Sequence, residues 1–131
     1  GAACVGEGMT VLITGDMSFS YDVNGLSSTY LSPRFKIIVM CNGGGGIFRF
    51  IKPTSDLPEL ETCFEIHRDI SVEKYADLFG LRYFELNDEK SAAEVLSLFF
   101  AEEDRPAILA VHTPNVYNAE VLRGYFRRSR Q

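Results

Sequence analysis

Two short apolar runs in this chain end on oxygen-bearing residues. Val11-Leu12-Ile13-Thr14 is stopped by Gly15-Asp16, and Phe35 to Met40 is stopped by Cys41-Asn42 and four glycines, Gly43 to Gly46. A carboxylate, a side-chain amide and the exposed carbonyls of a glycine turn are hard oxygen donors, the set that Mg2+ or Ca2+ takes when the ion also holds phosphate. Asp16 would supply the charge and Asn42 the geometry. The peptide groups of Met17 and Ser18, which lead into a helix, can point N–H groups at an anion with help from the helix dipole. A diphosphate bridged by the metal suits such a place, and a run of glycines lets the backbone approach it closely. Taken singly, an Asp after a strand is often a helix cap and Asn-Gly is often a turn. The pair, each at a strand end with a helix between, is what points to a site.

Such residues converge only if the right elements carry them. Both apolar runs are continuous rather than alternating, as expected of buried strands in a parallel sheet covered on both faces. Between them, Tyr21 to Leu31 places apolar residues at Leu26, Tyr30 and Leu31 before Ser32-Pro33 ends the helix. Further on, Ser71 is positioned to cap a helix to about Phe79, with Gly80 as its stop, and Leu81 to Leu86 alternates like a strand. Ser91 with Glu94 forms a capping-box pattern before Val95, Leu96, Leu98 and Phe99. Ala107 to Val111 is a third apolar strand and Asn118 to Arg128 a last amphipathic helix. This alternation predicts a three-layer α/β/α domain with a mainly parallel sheet, whose ligands sit at the carboxyl ends of the strands. Phe50 to Arg68, with Pro53 and Pro58, is the longest irregular stretch, and loops of that length are often functional lids.

Composition narrows the partners. The 131 residues are 46% hydrophobic and 24% charged, enough for one domain with a real core. The net charge of -5 argues against a nucleic-acid footprint, and the basic tail Arg123, Arg127, Arg128, Arg130 reads as a solvated helix end that favours cations. Cys4, Cys41 and Cys63 are odd in number and lie in no disulfide framework or zinc spacing, which fits a reducing cytoplasm. No apolar run approaches the ~20 residues that span a bilayer, so no membrane association is expected. The opening Gly1-Ala2-Ala3-Cys4-Val5-Gly6 suits the packed end of a helix better than a free terminus, and the expectation is a piece of a longer protein.

At Gly15-Asp16-Met17-Ser18, with Asn42 placed 26 residues after Asp16, the chain resembles the thiamine diphosphate motif, which opens Gly-Asp-Gly and closes Asn-Asn. Met17 replaces the third-position glycine and Cys41 the first asparagine, while the metal-facing Asp and second Asn are kept. The stretch Gly15 to Leu26, followed by Asn42-Gly43-Gly44-Gly45-Gly46-Ile47-Phe48, is similar to the 2-succinyl-5-enolpyruvyl-6-hydroxy-3-cyclohexene-1-carboxylate synthases of menaquinone biosynthesis, in which a bulky residue after the Asp is usual. The resemblance implies an N-terminally truncated, C-terminal thiamine diphosphate-binding domain over residues 1–131, about the last quarter of such an enzyme. It implies Mg2+, or Mn2+, on Asp16, Asn42 and the Gly44 carbonyl, with Met17, Ser18 and Gly45 lining the diphosphate. Ile47, Phe48 and Ile51 would form an apolar wall against the thiazolium and the ring substrate; as residues just after a turn, Ile47 and Phe48 also fit a core role.

The implied reaction decarboxylates 2-oxoglutarate and adds the four-carbon unit to isochorismate, with the cofactor as electron sink. The activating glutamate belongs to the N-terminal pyrimidine-binding domain of a partner subunit, in a homo-dimer or tetramer, so no general base is nominated here. His112 reads as core, His67 as a loop residue, and Asp22 and Asn24 as helix-start and packing residues. Two other readings stand beside this one. One is another thiamine enzyme, an acetolactate synthase or 2-oxoacid decarboxylase, which the Gly43 to Phe48 turn disfavours; the other is a non-catalytic α/β module that binds Mg2+ and a nucleotide.

Overall fold

A computed structural model describes residues 2–65, 70–101 and 104–128, so His67, Arg68 and Arg130 lie outside the described residues. A single turn, α1 (Ala2–Val5), precedes β1 (Thr10–Gly15), α2 (Asp16–Asp22), β2 (Phe35–Cys41) and α3 (Gly46–Phe50). Then come α4 (Val72–Phe79), β3 (Arg82–Leu86), α5 (Ala92–Phe100), β4 (Ala107–His112) and α6 (Asn115–Arg128). The four strands pair in parallel in the order β1-β2-β4-β3, with helices on both faces, which is the α/β architecture expected.

The core divides by sheet face. On one, Phe19 of α2 and Val72 and Ala76 of α4 pack with Ile37, Val39, Ile108 and Ala110; on the other, Phe99 of α5 packs with Ala107 and Leu109. Helix α4 is built as its sequence implies. Ser71 Oγ accepts the Lys74 N–H at 3.4 Å, and Gly80 closes the helix at φ +68°, where other residues would be strained. A lysine inside this apolar packing, Lys36 of β2, keeps its ammonium satisfied by donating to the Ala101 carbonyl at 3.2 Å and lying over the Phe99 ring.

Several expectations are corrected. Strand β1 is not buried: it is the sheet's edge, paired only with β2, and Val11, Leu12 and Ile13 are all exposed, Ile13 by 67%. Its apolar run marks one buried sheet neighbour rather than cover on both faces. The helix between β1 and β2 starts at Asp16 itself and passes into a 3-10 turn over Val23–Ser27, so Asp22 ends a helix instead of starting one, and both Asp22 and Asn24 are exposed. The capping box does not form. Asp88 accepts from the Lys90 and Ser91 N–H groups and caps a 3-10 turn, Glu89–Ser91, that feeds α5, while Ser91 makes no cap bond of its own. Leu98 faces out. Helix α6 begins at Asn115, three residues earlier than expected, and Arg123 is no solvated tail residue, because its guanidinium donates to the Arg49 carbonyl. The irregular stretch carries a 3-10 turn, Thr54–Asp56, and a π turn, Leu60–Phe64.

Candidate functional site

The register of β1 and β2 brings the site together. Gly15 lies beside Met40, so Asp16, just past β1, and Asn42, just past Cys41 at the end of β2, emerge side by side at the carboxyl edge of the sheet. Asp16 is 5% exposed. Its Oδ2 accepts the N–H groups of Asn42 at 3.1 Å, Gly43 at 2.8 Å and Gly44 at 3.1 Å, and its Oδ1 accepts the Met17 N–H at 2.8 Å. One carboxylate therefore ties the start of α2 to the whole entry of the glycine turn. Charge-assisted bonds of this kind are stronger than neutral ones and fix the turn's peptide planes.

Gly43, Gly44 and Gly45 all have positive φ, +84°, +84° and +66°, so the turn depends on glycine. At Gly45 space is short as well: a Cβ would meet the Glu65 Cα at 2.6 Å and the Phe64 carbonyl oxygen at 2.8 Å. The turn is gripped further by Asn42 Oδ1, which accepts the Gly44 N–H at 3.1 Å, and by Asn115 Nδ2, which donates to the Gly44 carbonyl at 2.9 Å.

The three metal-donor residues expected from the sequence are thus brought together. Each still has acceptor capacity: Asp16 Oδ1, Asn42 Oδ1 and the Gly44 carbonyl oxygen each take one hydrogen bond of the two an oxygen can accept. Among the described residues no group of three or more His, Cys, Asp or Glu side chains could hold a metal. The oxygens present, a carboxylate, an amide and a carbonyl, are hard donors that suit a hard ion. The donor chemistry fits Mg2+.

An apolar cleft of about 170 Å³ adjoins the turn, lined by Met17, Tyr21, Gly45, Ile47, Phe48 and Phe64. Ile47 is 59% exposed, and Phe48 stacks at an angle on Phe64 with ring centroids 5.5 Å apart. These residues form a wall, not a core. Ile51, also exposed, is not part of that cleft, and the Ser18 side chain faces a different cavity, beside Leu12 and Thr14 over the edge strand. The Met17 N–H is engaged by Asp16, so Met17 contributes to the cleft through its side chain. A separate cavity of about 650 Å³ lies at the amino ends of the strands by Ser32, Lys36 and Ala101, away from these groups.

Sequence reasoning missed the scaffold behind the turn. Glu65 is 2% exposed; Arg49 Nε donates to its Oε1 at 2.8 Å, and the Arg49 guanidinium also reaches Glu61 at 2.9 Å. Glu65 first, then Glu61, holds the Arg49 guanidinium still more firmly protonated than usual. Tyr21, Phe64 and Asn115 were missed too. His112 is a correction of another kind: it ends β4 half-exposed, with Nε2 3.0 Å from Glu85 Oε1, two strands away from β1. Tyr83 donates to the same carboxylate at 3.2 Å, and burial, then the Glu85 charge, raises its phenol pKa.

Cys41 stands where the thiamine motif has its first asparagine. Burial first, then the charges of Asp16 and Glu85, pushes its thiol up to about 11. Only the thiolate is an effective nucleophile. In the metal-free chain at pH 8, Cys41 should therefore alkylate about a hundredfold more slowly than an ordinary thiol. Exposed Cys4 and Cys63 should react first. Timed iodoacetamide labelling read by peptide mass spectrometry checks this, and equal rates at all three cysteines would refute it.

No protein-family model matches the chain. Among curated proteins it is 48% identical over 120 residues, 92% of its length, to the 2-succinyl-5-enolpyruvyl-6-hydroxy-3-cyclohexene-1-carboxylate synthase of Porphyromonas gingivalis. The proteins of the same name from Flavobacterium johnsoniae and Christiangramia forsetii are 40% and 36% identical over 95% and 96% of the chain. The alignments cover 21%, 23% and 22% of those proteins, so the chain spans about a fifth of the length of the relatives it matches.

Proposed function

This chain belongs, as a segment, to the family of 2-succinyl-5-enolpyruvyl-6-hydroxy-3-cyclohexene-1-carboxylate synthases, and on that premise we propose that it forms the diphosphate- and Mg2+-binding half of a thiamine diphosphate-dependent carboligase of menaquinone biosynthesis. The observation that carries the reading is the Asp16 carboxylate joining two strand ends, with Asn42 and the Gly44 carbonyl beside it and an apolar cleft next to them.

Asp16, Asn42 and the Gly44 carbonyl hold the metal, and Mn2+ suits the same donors. Backbone N–H groups at Ser18 and Gly45 would hold the diphosphate. Met17, Tyr21, Ile47, Phe48 and Phe64, which line the apolar cleft, would exclude water from the reacting end and form the wall for the thiazolium and the ring substrate. When bound, thiamine diphosphate supplies the electron sink for decarboxylating a 2-oxoacid, here 2-oxoglutarate, whose four-carbon unit is passed to isochorismate. This chain's residues bind and orient. The group that activates the aminopyrimidine comes from the pyrimidine-binding domain of a partner subunit, so this chain by itself is inactive and the working enzyme is a homo-dimer or tetramer in the cytoplasm. No helix among the described residues is long and apolar enough to cross a membrane.

Calorimetric titration of the chain with thiamine diphosphate, with and without Mg2+, tests the reading. Metal-dependent binding is expected, lost in Asp16→Ala and Asn42→Ala, and preferring thiamine diphosphate over thiamine monophosphate and ADP. Equal binding of ADP, or indifference to both substitutions, would favour a nucleotide-binding module instead.

A further inference from the structure

We infer that Asn115, the first residue of α6, is a positioning residue for the metal: it holds the Gly44 carbonyl in the orientation in which its second lone pair is available to the ion. The inference rests on the reading of the Asp16–Asn42–Gly44 cluster as a metal site.

Gly44 sits in the left-handed region and has no side chain to restrict it, so the orientation of its peptide groups is set by what bonds them. Its N–H is held by Asp16 Oδ2 and Asn42 Oδ1, both from the β1 and β2 ends. Its carbonyl is held by Asn115 Nδ2 from 71 residues away. A carbonyl oxygen accepts two hydrogen bonds, and Asn115 occupies one position.

The orientation of the Asn115 amide is itself determined. Nδ2 lies between two acceptors, the Gly44 oxygen at 2.9 Å and Glu65 Oε1 at 3.4 Å, so the amide cannot be reversed without placing Oδ1 against both. Glu65 is in turn fixed by Arg49, whose own carbonyl is held by Arg123 of α6. Oδ1 is left buried and without a hydrogen-bond partner, next to Gly46. A Cβ at Gly46 would meet both this oxygen and Asn42 Nδ2, so the amides of Asn115 and Asn42 converge on the same point above the turn. Leaving a buried acceptor without a partner is unfavourable. Carrying it for the sake of one donated bond to a backbone carbonyl makes sense if that carbonyl has a task. Partners of metal ligands that act in this way are typically worth 10- to 100-fold in metal affinity.

The test measures Mn2+ binding by electron paramagnetic resonance, at saturating thiamine diphosphate, in the 131-residue chain and in Asn115→Ala, Asn115→Leu and Asp16→Ala, together with the metal-free melting temperature of each. Asn115→Leu fills the same volume without the donor and covers the case in which Asn115→Ala fails to fold. The expected result is a loss of Mn2+ affinity of about tenfold or more in the Asn115 variants that the metal-free melting temperature does not track, because a merely structural residue would move both together. Asn115→Gln, which keeps a donor, should recover part of the affinity. If the Asn115 variants bind Mn2+ like the parent while Asp16→Ala does not, the positioning role is wrong and the metal site stands. If Asp16→Ala also binds like the parent, or the parent does not bind, the metal site itself is wrong and the role of Asn115 falls with it.

Discussion

Replacing Asp16 with alanine should destabilise the metal-free chain by about 3–5 kcal/mol, before any ligand is considered. The carboxylate accepts four backbone N–H groups, three of them on consecutive residues of the glycine turn. Hydrogen bonds to a charged group contribute about 1.5–3 kcal/mol each, but these share two oxygens and are not additive. Against a total stability of about 5–15 kcal/mol, the loss should lower the melting temperature on the order of 10–20 °C.

Asp16→Asn separates the two tasks of this residue. An amide oxygen at the Oδ2 position can still accept from the turn, while its NH2 group then opposes the Met17 N–H and leaves no carboxylate for a metal. Stability should fall by less than in Asp16→Ala; on the proposed function, Mg2+ and thiamine diphosphate should add stability to the parent and to neither variant. Urea unfolding with and without these ligands reads both quantities. An Asp16→Ala midpoint equal to the parent's would show that the three bonds to Asn42, Gly43 and Gly44 do not hold the turn.

Why Asp16 and Asn42 could be found from sequence, and Glu65 and Asn115 could not, is a matter of range. The first pair sits directly after two strands, and parallel neighbours in register must deliver their next residues to one edge. Strand ends, a glycine run and a helix start are all local signals. So are the Ser71 cap and the Gly80 stop, and helix α4 matches its expectation. Glu65 lies in a stretch without a period, and its position against Gly45 is set by non-local packing of a π turn that no residue pattern announces. Asn115 follows Pro114 and looks like part of a loop, since the amphipathic pattern of α6 emerges only further along. The burial of β1 was misread for a related reason. A continuous apolar run reports that a strand has something to cover, and the strand order decides what does so; at the sheet edge, β1 leaves Ile13 exposed. His112 closes an apolar strand and yet turns outward, because β4 runs past the end of β3 and its last residue meets Glu85 at the rim instead of the core.

Arg49→Ala should be the other costly change, about 3 kcal/mol, although the Arg49 guanidinium bonds Glu61 and Glu65, neither of which is assigned to the metal or the cofactor. The Glu65 side chain is fully buried and Arg49 only 18% exposed, so removing the guanidinium leaves a carboxylate whose one remaining side-chain donor among the described residues is Asn115, at 3.4 Å. Breaking a buried pair typically costs about 3–5 kcal/mol, because the remaining charge has lost its partner. Partial exposure of Arg49 lets water reach part of the gap and sets the expectation at the lower end. If the loss comes from an uncompensated charge, Glu65→Gln should recover much of it in the Arg49→Ala background, while in the parent it should itself be destabilising. The Glu65 Cα would touch a Cβ on Gly45, and Phe64 walls the apolar cleft, so on the proposed function displacement of this segment should also weaken thiamine diphosphate binding in Arg49→Ala. A double-mutant cycle by urea unfolding measures the coupling. A coupling energy near zero would mean that water already screens this pair, and that the grip on the glycine turn comes from Asp16 and Asn115 alone.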